Sequence, residues 1–260
     1  MSKKRIDYCY ADPAGNITLL VETAFPAADH PDIASKLLAA EPAAEQVGFV
    51  ESFFPGGISM RMAGGEFCGN AAFSAAAFAA MKAGAGEGSF SVDFSCTGRL
   101  TASIQRTSED SFCGRIEMPL PEKIFEQQLS FQKTDMLLPV VRFPGITHII
   151  CLFPVDRAFA ESALKQWCSE LGAPAAGIML LDEEKMSLTP LVYVPKSGTL
   201  FWERSCASGT CAAAAWLSSR SGKYGTYIFS EPGGQLGAET GEVSLSLIDS
   251  VKLDLRSVEI

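Results

Sequence analysis

The sequence predicts an α+β fold with two pseudo-symmetric lobes, each a mostly antiparallel sheet wrapped around a central helix. Two observations lead to this prediction. An alanine-rich run that is typical of a buried helix follows a cysteine at 66–84 and again at 204–219. Runs of β-branched and aromatic residues, which are typical of strands, flank both helices.

Hydrophobic patterning predicts the elements of the first lobe. Residues 17–25 and 47–54 are strand-like, and apolar residues recur at helical spacing within 30–40. After the first cysteine helix, 89–98 and 99–107 alternate like the strands of a hairpin. The first lobe is therefore expected to hold its cysteine helix among strands.

The second lobe repeats this order. A strand, a helix that ends at Gly172, two further strands and an alternating tail with a PGG turn are predicted at 145–154, 163–172, 176–182, 188–196 and 224–260. Periodicity is lost near 125–140, which favours a boundary there. The predicted domains are 1–130, carrying Cys68, and 131–260, carrying Cys206, with an active site in the cleft between them.

Composition narrows the function classes. The 260 residues are 47% hydrophobic, and a formal net charge of −9 argues against a nucleic-acid surface. The N-terminal residues do not resemble a signal peptide, and no apolar run is long enough to span a bilayer. We expect a cytoplasmic protein that binds a small molecule, with no nucleic-acid or membrane partner.

The eight cysteines are scattered along the chain, unlike a disulfide framework, so reduced thiols are expected. Cys206 and Cys211 lack the spacing of a zinc site, and no metal is predicted.

Cys68 and Cys206 each precede small residues at the start of an alanine-rich helix. Unpaired N–H groups and the helix dipole favour negative charge there, which lowers the pKa of a thiol. The same N–H groups could hold a substrate carboxylate at Gly69, Ala207, Ser208 and Gly209. An amino acid held between two such sites would present opposite faces of its Cα to two sulfurs, as in a racemase. Burial as small apolar residues is the alternative interpretation, but two matching sites favour function.

The residues resemble the diaminopimelate epimerase and proline racemase superfamily of cofactor-independent, two-cysteine enzymes. The motifs that carry the resemblance are PAGN at 13–16, EFCGN at 66–70, THII at 147–150, SCASGT at 205–210 and PGG at 232–234. Within that superfamily, PAGNITLLV, EQVGFVES, GGEFCGNAAFS, PLVYVP and WERSCASGT are most similar to the histidine racemases of opine metallophore biosynthesis.

This resemblance implies a diaminopimelate epimerase-like fold and a racemase that needs no cofactor. Cys68 and Cys206 would be the two acid/base residues. Asn70 and the nearby backbone N–H groups would bind the α-carboxylate. The superfamily often forms dimers, so a homodimer is possible.

Five further residues are candidates for the site, and most of them carry more than one interpretation. Asn16 matches a substrate-contact position of the family or is a turn residue, and His148 lies near the catalytic centre or is a core histidine. Glu66 and Glu203 could bind an amino group, tune a thiol or cap a helix. Gln46 is a further candidate for the side-chain pocket.

One departure from the superfamily bears on the substrate. Glu203 and Arg204 lie almost next to Cys206, whereas diaminopimelate epimerases place a Gly-containing loop between them. A histidine racemase is therefore the leading hypothesis, and a diaminopimelate epimerase or a racemase of another amino acid is the alternative. A thiol redox sensor or an inactive amino-acid-binding protein is the alternative from another class.

Overall fold

The computed structural model describes residues 4–94, 97–196 and 198–260. Its strands are β1 (Arg5–Pro13), β2 (Thr18–Val21), β3 (Gln46–Phe54), β4 (Gly57–Met62), β5 (Glu87–Phe94), β6 (Gly98–Arg106), β7 (Ser111–Glu117), β8 (Lys123–Phe131), β9 (Thr134–Phe143), β10 (Ile146–Cys151), β11 (Ala176–Asp182), β12 (Ser187–Val194), β13 (Thr199–Trp202), β14 (Gly225–Glu231), β15 (Gly234–Thr240) and β16 (Leu245–Glu259). The α-helices are α1 (His30–Ala40), α2 (Gly69–Lys82), α3 (Arg157–Glu170) and α4 (Ala207–Ser221), and a short 3₁₀ helix covers Ala27–Asp29.

The chain forms two compact units. The first contains the residues up to Glu117 together with Ile248–Ile260, and the second contains Met118–Leu247. These units differ from the predicted domains over 118–130 and 248–260. The C-terminal segment groups with the first unit because β16 pairs antiparallel with β1, from Arg5↔Glu259 to Pro13↔Val251. Because that pairing joins strands that are far apart in the sequence, the local sequence of neither strand predicts it.

The first unit is a closed barrel of eight strands within the described residues. The strand order is β1-β2-β3-β4-β5-β6-β7-β16, and β16 returns to β1. Helix α2 contacts β1, β2, β4, β5, β6 and β7. Every residue of α2 from Gly69 to Ala80 is buried, because a helix that is apolar on all sides must be enclosed, and its alanines let the strands approach closely.

Strands of the second unit follow the order β15-β14-β12-β11-β10-β9-β8, and β13 pairs with β12. Helix α4 contacts β9, β10, β11, β14 and β15, and α3 contacts β8, β11 and β12. The core beneath α3 is built around Trp167 and Leu164, which pack with Ile149 and Ile178. The cysteine helix of this unit therefore also lies among strands.

The same order of pairings recurs in both units. In the first unit, α1 connects the parallel strands β2 and β3, and α2 connects the parallel strands β4 and β5. The pairs β1–β2, β3–β4 and β5–β6 are antiparallel. Parallel pairs β10–β11 and β12–β14 enclose α3 and α4 in the same way. The fold is thus an α+β fold of mostly antiparallel strands, as predicted.

One predicted element begins at the wrong residue, and one pair of strands was not predicted. The helix predicted from residue 163 begins at Arg157, because the Asp156 carboxylate accepts hydrogen bonds from the N–H groups of Ala158 and Phe159 and caps the helix. The segment near 125–140, where the sequence loses its periodicity, forms the hairpin of β8 and β9, which the sequence did not predict. Most of β8 is exposed, so it lacks the alternation that reveals a half-buried strand.

The strand predicted over 17–25 is shorter, since β2 ends at Val21. The strand predicted over 89–98 includes residues 95–96, which lie outside the described part of the chain. Where the structure describes the chain, no helix has both the length and the apolar character needed to cross a membrane.

Phe78 provides a test of the packing around α2. Its side chain is fully buried within the first unit. We expect Phe78→Ala to lower the free energy of unfolding by about 3–5 kcal/mol, because the truncation leaves a cavity. Phe201→Ala is the matched control, since Phe201 is 61% exposed and its loss should cost less than about 0.5 kcal/mol. Urea unfolding of both variants measures this, and equal losses would contradict the described core.

Candidate active site

Cys68 is the N-cap residue of α2, as its position in the sequence predicts. Its Sγ accepts a hydrogen bond from the N–H of Ala71 at 3.4 Å, and its side chain is only partly buried. Gly69 and Asn70 form the first turn, and Asn70 is 2% exposed. The sulfur thus faces a helix N–H group, a donor of the kind that stabilises negative charge at a helix N-terminus.

Glu66 lies two residues before this cysteine but turns elsewhere. Its side chain is exposed, and its carboxylate packs close to Gly64 in the preceding turn. This geometry supports neither a capping role nor contact with a thiol.

Asn16 and Gln46 belong to one hydrogen-bonded network, although they are 30 residues apart. The side-chain Nε2 of Gln46 donates to Asn16 Oδ1 at 2.5 Å and to Thr18 Oγ1 at 2.9 Å. Asn16 Nδ2 donates to Glu45 at 2.6 Å. The structure thus joins two of the predicted residues and adds Glu45, which was not among them.

Asn16 also ends a tight turn, so its two interpretations are compatible. The chain reverses between β1 and β2 with positive φ at Ala14 and Gly15, and Asn16 N–H donates to Pro13 O at 3.1 Å. The turn uses the backbone N–H of Asn16, so its side-chain amide can form the hydrogen bonds with Gln46 and Glu45.

Cys206 is the N-cap residue of α4 and is 6% exposed. In contrast to Cys68, its side chain accepts no capping hydrogen bond from a backbone N–H of the helix within the described residues. Its Sγ lies 3.6 Å from Ser208 Oγ, and its own N–H donates to Glu231 Oε2 at 2.9 Å. The two cysteines therefore share a position on their helices but differ in environment.

His148 lies on β10 and is completely buried. Its Nε2 is 2.9 Å from Ser208 Oγ, and its Nδ1 has no hydrogen-bond partner among the described residues. Burial lowers the pKa of His148 to about 3, so the ring is neutral at physiological pH. A buried unpaired N–H costs more than an unpaired ring nitrogen, which places the proton on Nε2, where it is donated to Ser208.

This tautomer leaves the Ser208 hydroxyl proton available to Cys206. The contacts thus run from His148 Nε2 to Ser208 Oγ and from Ser208 Oγ to the sulfur of Cys206. His148 is therefore both a buried strand histidine and a neighbour of a catalytic candidate. A hydroxyl donor of this kind stabilises a thiolate when one forms.

The electrostatic environment opposes that thiolate at rest. Burial raises the pKa of Cys206 well above its ordinary value. Glu203 raises the pKa of Cys206 further through its negative charge and a hydrogen bond, and Glu231 raises it through its charge when it is ionised. The hydrogen bond with Ser208 lowers the pKa of Cys206. The predicted lowering of the thiol pKa is therefore wrong for Cys206, because burial and acidic neighbours outweigh the helix terminus.

Gly209 leaves room for a neighbouring side chain at the first turn of α4. A Cβ at Gly209 would lie 2.2 Å from Met179 Sδ, so glycine lets that side chain pack against the turn. Ala207, two residues before Gly209, is buried.

Cys68 lies in the first unit and Cys206 in the second. No group of three His, Cys, Asp or Glu side chains suited to a metal occurs in the described ranges.

Glu231 is not among the residues predicted from the sequence. It directly precedes the PGG motif, which was the available signal, and its carboxyl group contacts both Cys206 and Thr210. Glu231 is 8% exposed. Burial raises the pKa of Glu231 to about 8, and nearby Glu203 raises it as well, while the two hydrogen bonds lower it.

Comparison with known proteins places this chain in a family. The family model described as histidine racemase CntK N-terminal domain matches residues 5–259. The chain belongs to the CntK histidine racemase family. Membership in this family confirms the enzyme class predicted from the sequence, an amino-acid racemase.

Individual relatives of this CntK family protein are also described as histidine racemases. A histidine racemase of Fusobacterium nucleatum is 30% identical over 223 residues, which cover 82% of this chain and 80% of the relative. A histidine racemase of Staphylococcus aureus is 26% identical over 249 residues, covering 91% and 89%.

Solved structures share the epimerase fold. A predicted epimerase from Pseudomonas aeruginosa has a TM-score of 0.72 at 14% identity and covers 99% of both chains. A hydroxyproline epimerase from Agrobacterium vitis has a TM-score of 0.63 at 11% identity, covering 100% of this chain and 94% of the other.

Proposed function

We propose that the protein interconverts L-histidine and D-histidine by a two-base mechanism in which Cys68 and Cys206 are the proton-transfer groups. One observation carries this proposal. Each of the two cysteines is the N-cap residue of a buried, alanine-rich helix, and the chain belongs to a family of histidine racemases. A helix N-terminus supplies both a polar environment for sulfur and N–H groups for a carboxylate.

The proposed reaction moves one proton to one sulfur and returns a proton from the other. A thiolate removes the Cα proton, and the electron pair of the C–H bond moves toward the α-carboxylate. The thiol on the opposite face then protonates Cα with inversion of configuration. Backbone N–H groups at Gly69, Asn70, Ser208 and Gly209 are suited to stabilise the charge that develops on the carboxylate.

The different environments of the two sulfurs support different resting roles. Cys68 accepts a hydrogen bond from a helix N–H, which suits a thiolate. Cys206 is buried beside Glu203, which suits a thiol. In this assignment Cys68 starts as the base and Cys206 as the acid, and the roles reverse for the other enantiomer. The hydroxyl of Ser208 then supports Cys206 when it becomes the thiolate.

Other features of the proposal follow from this chemistry. The two thiols supply both proton transfers, so the mechanism uses no pyridoxal phosphate. Asn16, Gln46 and Glu45 form a polar cluster that we assign to the substrate, and Glu203 is suited to its amino group. The recurring strand pairings support two pseudo-equivalent lobes, each a sheet around its cysteine helix.

Deuterium exchange tests the proposed reaction. Reduced protein is incubated in D₂O with L-histidine and, separately, with L-proline, meso-diaminopimelate and other L-amino acids. We expect loss of the Cα–H signal by NMR and formation of the D-enantiomer by chiral chromatography with histidine. The activity should persist after hydroxylamine treatment in protein without pyridoxal absorbance.

Two other outcomes would reject the substrate or the reaction. Exchange with meso-diaminopimelate or another amino acid instead of histidine would keep the chemistry and reject the substrate. No exchange with any of them would reject the proposed reaction and favour a binding or redox role.

A further inference from the structure

The EPGG turn between β14 and β15 is hydrogen-bonded to the backbone of Cys206 and of the residue two positions before it. Gly233 N–H donates to Arg204 O at 2.7 Å. Glu231 Oε2 accepts from Cys206 N–H at 2.9 Å. These two hydrogen bonds hold the segment that carries the Cys206 thiol in place. Glu231 is the most buried side chain of the turn.

Counting protons around Glu231 indicates its ionisation state. Thr210 Oγ1 lies 2.8 Å from Cys206 O in the geometry of a hydroxyl that donates to the carbonyl one turn earlier. The same Oγ1 is also in hydrogen-bond contact with Glu231 Oε1. A hydroxyl has one proton, so if Thr210 donates to Cys206, the contact with Glu231 requires a proton from the carboxyl group.

A carboxylic acid at Glu231 closes a complete ring of hydrogen bonds. In that form Cys206 N–H donates to Oε2, the protonated Oε1 would donate to Thr210 Oγ1, and the Thr210 hydroxyl would donate to Cys206 C=O. The surroundings favour this form, because Glu231 is buried and, among the described residues, no cation is paired with it. The titratable groups that face it are the Glu203 carboxyl before α4 and the thiols of Cys206 and Cys211 on α4.

We propose that Glu231 is a positioning residue that acts as a neutral acid, holding the backbone of Cys206 in place without adding negative charge beside its thiol. This proposal rests on the proposed role of Cys206 in proton transfer. An ionised Glu231 would oppose the Cys206 thiolate and the negative charge that develops on the substrate. Ionisation at alkaline pH should therefore slow the reaction even though the fold is intact.

Glu231→Gln tests this directly because glutamine imitates the neutral acid. Its amide oxygen can accept from Cys206 N–H, and its NH₂ group can donate to Thr210. We expect kcat at pH 7 within about threefold of wild type, since the hydrogen bonds remain. The wild-type decline above about pH 8 should be absent or shifted to higher pH in this variant. Glu231→Ala should lower kcat on the order of 100-fold with a smaller change in KM, because the thiol loses its position.

Glu242→Gln is the matched control, since it makes the same carboxyl-to-amide replacement at an exposed position. It should leave the pH profile unchanged. Circular dichroism establishes that each variant is folded. If folded Glu231→Gln is as impaired as Glu231→Ala, a carboxylate is required and the proposal is overturned. An unchanged alkaline limb in Glu231→Gln would also overturn it.

Infrared spectroscopy measures the protonation state without any assay of activity. Protein labelled with ¹³C-glutamate should show a protonated carboxyl band at pH 7 that is missing in Glu231→Gln and disappears as the pH rises through about 8. Absence of this band in the wild type would overturn the proposal. This measurement stands even if the wild type racemises no amino acid, so the failure of the proposed function is distinguishable from that of the proposal.

Discussion

Replacing Cys68 or Cys206 with serine is expected to lower the rate of histidine racemisation by about 100-fold or more. Positioned acid/base groups contribute roughly 10²–10⁴-fold, and a serine hydroxyl is far too weak an acid to form the required anion near neutral pH. Chiral chromatography of D-histidine formed from L-histidine measures the effect. Serine is close in size to cysteine, so the fold should be retained.

Each single variant should also separate exchange from inversion. With one thiol left, proton removal from one enantiomer can continue, and the same sulfur returns deuterium to the same face. We therefore expect Cys68→Ser and Cys206→Ser to retain slow Cα–H exchange with opposite enantiomers, without inversion. This pattern would distinguish two separate bases from a general loss of the site.

Two other cysteines provide matched controls. Cys113 is half-buried like Cys68, and Cys168 is buried like Cys206. Cys113→Ser and Cys168→Ser should racemise histidine at close to the wild-type rate. Wild-type rates in either Cys68→Ser or Cys206→Ser would reject the two-base mechanism.

Acid should destabilise the protein through His148. Burial lowers the pKa of this ring from its ordinary value of 6.5 to about 3. Below pH 6.5 the unfolded chain binds a proton that the folded protein excludes, so the stabilising contribution present above pH 6.5 is lost as the pH falls toward 3. Between pH 7 and pH 4.5 this amounts to about 2 to 3 kcal/mol.

The measurement is a comparison of wild type with His148→Gln by urea unfolding at both pH values. Glutamine retains a donor for Ser208 but does not titrate. The carboxylates lose the same stability in both proteins, so the wild type should lose about 2 to 3 kcal/mol more than the variant. Equal losses would show that His148 is not held neutral by burial.

The local features of the candidate site were predictable from sequence because they depend on neighbouring residues. A cysteine before small residues and an alanine run predicts a helix N-terminus, and both Cys68 and Cys206 are N-cap residues. The start of α3 at Arg157 was missed, although Asp156 is a typical N-cap residue. The exposed strand β8 was missed because its solvent-facing residues carry no alternation.

By itself, the sequence determined the α+β class, the two cysteine helices and the resemblance to racemases, since each depends on local composition or short motifs. Only the tertiary structure decided that β16 closes the first barrel, that Cys206 lies in an acidic, buried environment, and that Glu231 braces it. Those features depend on groups far apart in the chain. The physical reason is that burial and charge at a thiol are set by whatever the fold brings next to it, and at Cys206 these effects outweigh the local helix terminus.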